Sequence, residues 1–206
     1  MNMSELNLVI TQEPENRVIS GLTYIPNYIN GAQHQKLLNK IDQEVWSIES
    51  VEFKRRIQQH GYRYEYKNDI LVSSSYLGPL PDWAGSIARQ LYDDGFMAKV
   101  PDQVTVNEYE PGQGLTSHVD CVTCFGGTII TLSLSSTYVM EFTQIQTQER
   151  TKILLSPGSL LILRGEARYL WQHSVTPCKI DNYNGKEFVR SRRVALTFRE
   201  ALFPHK

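Results

Sequence analysis

Hydrophobic spacing divides the chain into two unequal parts. Before residue 100 the apolar positions recur at helical intervals. Asn30 is placed to cap a helix carrying Leu37, Leu38, Ile41 and Val45 on one stripe. A second helix is expected from Pro81-Asp82, with Trp83, Ile87 and Leu91 on one face and a break near Gly95. Between them, residues 50–80 are rich in charge and tyrosine, hold a Gly78-Pro79 turn, and read as extended or loop structure.

From residue 103 the period becomes two. Thr105, Asn107 and Tyr109 share one face of a strand over 103–110, opposite Val104 and Val106. Ile129, Thr131, Ser133 and Ser135 oppose Ile130, Leu132 and Leu134 over 129–135, and Arg193, Ala195, Thr197 and Arg199 oppose Val194, Leu196 and Phe198 over 193–199. An ordinary half-exposed sheet gives the same alternation, with its polar face in water. A closed or sandwiched sheet would instead turn those polar faces around a small charged ligand and pack the apolar faces against the two helices. Further strands are expected at 138–144, 152–156, 159–164 and 170–176, with Leu160-Leu161-Ile162-Leu163 buried. This run of short strands preceded by helices points to an α+β fold, a jelly roll with a helical buttress.

Composition narrows the function classes. The 206 residues with 41% hydrophobic content suit one domain with a real core. No stretch approaches eighteen consecutive apolar residues, so no membrane span is expected. Met1 to Ile10 lack the basic start of a secretory signal. A net charge of −1 excludes a strong global basic field, leaving any nucleic-acid contact to local patches. Three cysteines are an odd count, which fits reduced thiols in the cytosol better than a disulfide scaffold. Cys121-x-x-Cys124 is only half a zinc site, and with Cys178 the sole remaining thiol no four-thiolate site can form.

The chemistry concentrates in residues 107–120, Asn-x-Tyr-x-Pro-Gly-x-x-x-x-x-His-x-Asp, followed downstream by His173 and by Arg193 and Arg199. His118 and Asp120, two apart, point the same way on an extended segment. A third ligand from His173 would complete a two-histidine, one-carboxylate face of the kind that binds Fe(II) and leaves positions open. Arg193 and Arg199, six apart, share a strand face that Arg192 does not, and arginine's fork suits a dicarboxylate. Six strand residues span roughly 20 Å, so the two side chains would have to lean together to hold one ligand.

This ordered set, with its Asn107, Tyr109, Pro111 and Gly112 lead-in, resembles the AlkB family of Fe(II)- and 2-oxoglutarate-dependent dioxygenases. Several segments look more like the oxygenase domain of the tRNA wobble-uridine hydroxylases within it, among them Asn107 to Gly114, Leu132 to Ser135, Gly165 to Trp171 and the Arg55-Arg56 region. The resemblance implies a double-stranded β-helix in a single domain over 1–206, with residues 20–100 as helical buttress and substrate lid and 103–202 as catalytic core. It implies His118, Asp120 and His173 as metal ligands, setting aside His34 in a helix, His60 in a loop and His205 in the tail. It assigns Arg193 with Tyr109 to the distal carboxylate of 2-oxoglutarate, and Arg199 with Asn107 to the metal-side carboxylate. Trp171, two before His173, is expected to share the site-facing side, as a shield or as an ordinary core residue.

The implied reaction uses Fe(II), 2-oxoglutarate and O2 to hydroxylate a substrate carbon; on an N-methyl group the product collapses to formaldehyde and bare nitrogen. Lys54-Arg55-Arg56 and Tyr62, Tyr64 and Tyr66 stand where the family places its lid, where cations meet phosphates and rings stack on bases. Two departures bear on substrate: Val122 replaces an acidic residue that contacts the damaged base, and Ala195 replaces an asparagine near the co-substrate. The resemblance therefore implies oxidative demethylation of alkylated DNA or RNA. Alternatives are hydroxylation of a tRNA wobble modification, demethylation of a protein side chain, or a degenerate binding module. A cytoplasmic or, in a eukaryote, nuclear monomer is expected.

Overall fold

The computed structural model describes residues 18–48, 55–65 and 70–203. After β1 (Leu22–Ile25), Asn30 caps α1 (Gly31–Ile41) as expected. Its side chain accepts from Gln33 N–H at 2.9 Å, and Asn30 N–H donates to the Gln33 side chain at 3.0 Å, closing a capping box. The helix stops at Ile41 rather than running on to Val45, which is 89% exposed. Asp42 is its C-cap, after which Gln43 and Glu44 N–H close three-residue turns on the Lys40 and Ile41 carbonyls at 3.2 and 3.1 Å. After β2 (Ser47–Ile48) and β3 (Arg56–His60) comes α2 (Asp82–Asp93), which buries Ala84, Ala88 and Leu91 and ends before Gly95, at φ +77°. His60 thus lies in a strand, not a loop.

The period-two region forms β4 (Gln103–Tyr109), β5 (Leu115–His118), β6 (Thr128–Leu134), β7 (Tyr138–Gln144), β8 (Arg150–Leu155) and β9 (Leu160–Arg164). A short helix α3 (Gly165–Tyr169) leads to β10 (Trp171–Val175), a hairpin of β11 (Ile180–Tyr183) and β12 (Lys186–Val189), and β13 (Arg193–Arg199). The pairings are antiparallel, in a seven-stranded sheet ordered β1-β9-β6-β13-β4-β3-β2 and a four-stranded sheet ordered β5-β10-β7-β8. This is the double-stranded β-helix.

Each face of the large sheet has its own core. Val104, Val106, Ile130, Leu132, Leu134, Val194, Leu196 and Phe198 pack outward on Leu37, Ile41, Ala84, Ala88 and Leu91 of the two helices. Full burial of each such Leu, Ile or Phe stabilises by roughly 1.5–3 kcal/mol, which fastens the buttress to the sheet. The polar face turns inward toward the small sheet. Every residue of β4 and β13 is buried, which excludes a half-exposed sheet with its polar face in water. Those inward polar groups require partners or a ligand.

Candidate active site

The small sheet carries the metal-binding candidates. In the β5–β10 ladder His118 stands directly opposite His173, their ring centroids 4.4 Å apart, and Asp120 follows two residues beyond the end of β5. Their ligand atoms all lie within 4.8 Å of one another. His118 Nδ1–H donates to the Thr116 carbonyl at 2.9 Å, which leaves Nε2 as the electron-pair donor. Burial, reinforced by the neighbouring His118, pushes His173 down to about 3, so its imidazole is neutral and able to ligate. Burial acts to raise the Asp120 carboxyl, but Arg199, the two histidines and Arg168 outweigh it and hold it well below the usual carboxylate range. Two imidazoles and one carboxylate converging this closely fit a divalent iron.

The large sheet supplies the cations. Arg193, paired in register with Tyr109, is 1% exposed and lies over the Tyr109 and Tyr138 rings at 5.3 and 5.6 Å. Its Nη2 donates to Ser133 Oγ at 2.9 Å, while its Nε has no partner among the described residues. A buried guanidinium N–H left unbonded is costly, so this group fits an incoming carboxylate such as the far end of 2-oxoglutarate. Asn107, opposite Ala195, lines the same narrow pocket as Arg193 and the metal-binding candidates.

Arg199 takes a different role from the one expected. Its Nε and Nη2 donate to Asp120 Oδ1 at 2.8 and 2.6 Å, and its Nη1 to Gln103 Oε1 at 3.2 Å and Thr105 Oγ1 at 3.0 Å. Register explains the change: Arg199 is opposite Gln103, four residues and about 13 Å of strand from Asn107, and the Asp120 carboxylate is the nearer anion. With Oδ1 so occupied, Oδ2 faces His173 Nε2 at 3.7 Å. Arg192 is on the opposite face, as parity requires, bonding Glu108 Oε1 at 2.7 Å.

The lid residues divide. Arg55 is buried in the pocket wall, donating to the Gly114 carbonyl at 3.1 Å and lying over the Tyr109 ring at 5.3 Å. Arg56, next in the strand, points to the outer face, where it pairs bidentately with Glu108 and stacks on Trp46. Successive residues of an extended chain point to opposite faces, so the two do not face one ligand. Tyr62 packs between Tyr76 and Phe203, at 5.0 and 4.9 Å, and Tyr64 is buried against Phe125 at 5.1 Å. The buried Tyr64 ring is used by the protein itself, correcting its expected part in base stacking, while Tyr62 stays partly exposed within an aromatic cluster. Lys54 and Tyr66 lie outside the described residues, as does His205. Trp171 shares the buried face of His173 and belongs to the apolar core between the sheets.

Some of the neighbourhood had not been anticipated. Cys121 and Cys124 are joined as a disulfide beside Asp120, against the expectation of reduced thiols; both lie on one tight loop, with Cα atoms 5.3 Å apart. Gln103 and Thr105 brace Arg199, and Tyr138 underlies Arg193. The strand face that Gln103 and Thr105 share with Asn107 was the available signal for those two; Tyr138 gave none in isolation.

Comparison with known proteins sets these features in context. The family model of the 2OG-Fe(II) oxygenase superfamily matches residues 21–199. The chain is 36% identical over 188 residues to an uncharacterised protein of Acanthamoeba polyphaga mimivirus, covering 89% of this chain and 86% of that one. It is 34% identical over 175 residues to the mouse tRNA (carboxymethyluridine(34)-5-O)-methyltransferase ALKBH8, covering 81% of this chain but only 26% of the mouse protein. The Arabidopsis thaliana alkylated DNA repair protein ALKBH8 homolog is 33% identical, over 88% of this chain and 58% of its own length. Among solved structures, OsALKBH1 superposes with a TM-score of 0.63 at 18% identity, over 90% of this chain and 99% of that one.

Proposed function

Because the chain belongs to the 2OG-Fe(II) oxygenase superfamily, in its AlkB-like group, we propose that it oxidises a modified base in a nucleic acid, removing an N-methyl group as formaldehyde. The enzyme is a dioxygenase that uses Fe(II), 2-oxoglutarate and O2. When bound, these supply the oxidising power that replaces a substrate C–H hydrogen by hydroxyl, with 2-oxoglutarate leaving as succinate and CO2. The observation that carries the reading is one pocket holding both the three ligand atoms and a buried arginine with an unbonded Nε.

In this reading His118 Nε2, His173 and Asp120 Oδ2 hold the iron. Arg199 keeps Asp120 anionic and fixes which oxygen it offers. Arg193, with Ser133 and the Tyr109 ring, receives the distal carboxylate and so orients the co-substrate. Arg55, the one lid cation in the pocket wall among the described residues, is placed to meet a polar group of the substrate. Substrate class draws its support from the relatives named for tRNA and DNA, and from the Caenorhabditis elegans DNA N6-methyl adenine demethylase, 27% identical over 188 residues.

A second reading, stable hydroxylation of a tRNA wobble modification, is favoured by Val122. It is 52% exposed and apolar, two residues past Asp120, and offers no acceptor to a methylated base. The test loads the protein anaerobically with Fe(II) and 2-oxoglutarate, then adds O2 with a methylated single-stranded oligonucleotide or with tRNA. Equal succinate and formaldehyde support demethylation. Succinate with a hydroxylated nucleoside and no formaldehyde supports the second reading. Succinate that neither nucleic acid stimulates rejects both.

A further inference from the structure

Arg168 belongs to α3, between β9 and β10, and is 2% exposed. Among the described residues its hydrogen bonds all go to backbone carbonyls of one short segment. Nη1 donates to Asp120 O at 2.8 Å, Nη2 to Cys121 O at 3.0 Å and Phe125 O at 3.4 Å, and Nε to Gly126 O at 3.3 Å. A planar fork with five N–H groups can bind four carbonyls of a curved loop at once; no other side chain can. The helix that presents it is itself tied down, since Ala167 N–H donates to Ser20 O at 3.0 Å and the Ala167 side chain is in the core.

The clamped segment is functional ground. Asp120 stands two residues past the last paired residue of β5, so the ladder does not hold its backbone. The same segment carries Phe125, whose ring lies beneath the Arg199 guanidinium at 4.7 Å and against Tyr64. Arg199 fixes the Asp120 carboxylate, and Arg168 fixes the carbonyl of the same residue.

We infer that Arg168 is a positioning residue for the metal site: by holding the backbone at Asp120 it places the carboxylate against the two imidazoles and so sets the affinity for a divalent metal. The inference rests on the reading of His118, Asp120 and His173 as ligands. A buried cation used only for folding would change stability and leave metal affinity alone.

The test titrates metal-free wild type, Arg168→Lys, Arg168→Met and Asp120→Ala with Mn(II) by electron paramagnetic resonance and with Co(II) by visible absorption. Circular dichroism and urea unfolding follow the fold. The expected result is folded Arg168 variants with the Mn(II) dissociation constant raised about 10- to 100-fold, the range for residues that orient a ligand. The Co(II) bands change shape, and Arg168→Lys falls between wild type and Arg168→Met. Unchanged affinity and unchanged bands in the folded variants, with binding lost in Asp120→Ala, would overturn the inference. Loss of the fold in both Arg168 variants would overturn it too, making the residue a scaffold element. Undiminished binding in Asp120→Ala would instead remove the ligand reading on which it stands.

Discussion

Replacing Arg193 by methionine separates co-substrate binding from folding. The guanidinium is buried between the Tyr109 and Tyr138 rings, with Ser133 Oγ as its hydrogen-bonded partner and no acceptor at Nε among the described residues. Methionine is of similar length and apolar, so the variant removes a buried charge without opening a large cavity. The ligand-free protein is therefore expected to be as stable as wild type or more so, since a desolvated cation is lost. The co-substrate should suffer instead. Each hydrogen bond from a charged donor contributes roughly 1.5–3 kcal/mol, so a fork contact to a carboxylate is worth about 3 kcal/mol or more. That corresponds to at least about a 100-fold rise in KM for 2-oxoglutarate. Succinate formation measured against 2-oxoglutarate concentration reads this directly, with kcat largely recovered at saturation because the lost contact is uniform binding. In parallel, 2-oxoglutarate should raise the Tm of metal-loaded wild type and not that of the variant at the same concentration. An unchanged KM, with or without a lower Tm, would refute the reasoning and leave Arg193 a structural residue.

Other expectations follow from the same geometry. Asp120→Ala should abolish Mn(II) binding and, by stranding the buried Arg199, lower urea stability by about 3–5 kcal/mol; wild-type stability would show that Arg199 finds its compensation elsewhere. Stability should fall in mild acid. The His34 ring accepts from Ser135 N–H at 3.0 Å, a bond open only to the neutral form, and burial lowers both His34 and His60. Below about pH 6.5 the unfolded chain takes up protons that the folded chain refuses, so stability is complete above that pH and declines beneath it. Urea midpoints for His34→Gln should show a shallower decline, and an unaltered slope would remove His34 from the account. Gly114→Ala would set a Cβ 2.4 Å from Val175 O and 2.9 Å from Pro177 N, where β5 meets β10. A loss of roughly 1–3 kcal/mol, accompanied by weaker Mn(II) binding, is expected in urea and metal titrations, and a neutral outcome would mean that this backbone yields.

What the sequence disclosed follows from how each element is held. The inward faces of β4, β6 and β13 were legible because alternation survives whether a polar face meets water or a ligand; only burial distinguishes the two. The cap of α1 was legible in Asn30 and its end was not, because Val45 continues the apolar stripe past the point where the backbone tightens into the turns at Gln43 and Glu44. Strand β3 was hidden by its composition. Arg-Ile-Gln-Gln-His is polar on both faces, and its polarity is satisfied by remote groups: Arg56 by Glu108, and Gln58 by the Ile41 carbonyl. The His118, Asp120 and His173 set was readable from spacing and order, whereas the partner of Arg199 was not, since it depends on register across two strands and on a loop from the other sheet. Arg168 lay in a segment that carried the resemblance, but its role was hidden, because its acceptors are carbonyls that every residue carries.

The two imidazoles stand on the four-stranded sheet and Asp120 follows from it, while Arg199 reaches Asp120 from the seven-stranded sheet. The ion pair is therefore a clasp across the mouth of the sandwich, and the carboxylate that closes it is the one offered to the metal. Arg199 from one sheet and His118 and His173 from the other thus converge on a single side chain, so any displacement of Asp120 is felt at the joint between the sheets. To part the sheets at this edge a buried ion pair has to break, whereas the outer face of the large sheet is held by apolar packing on the two helices.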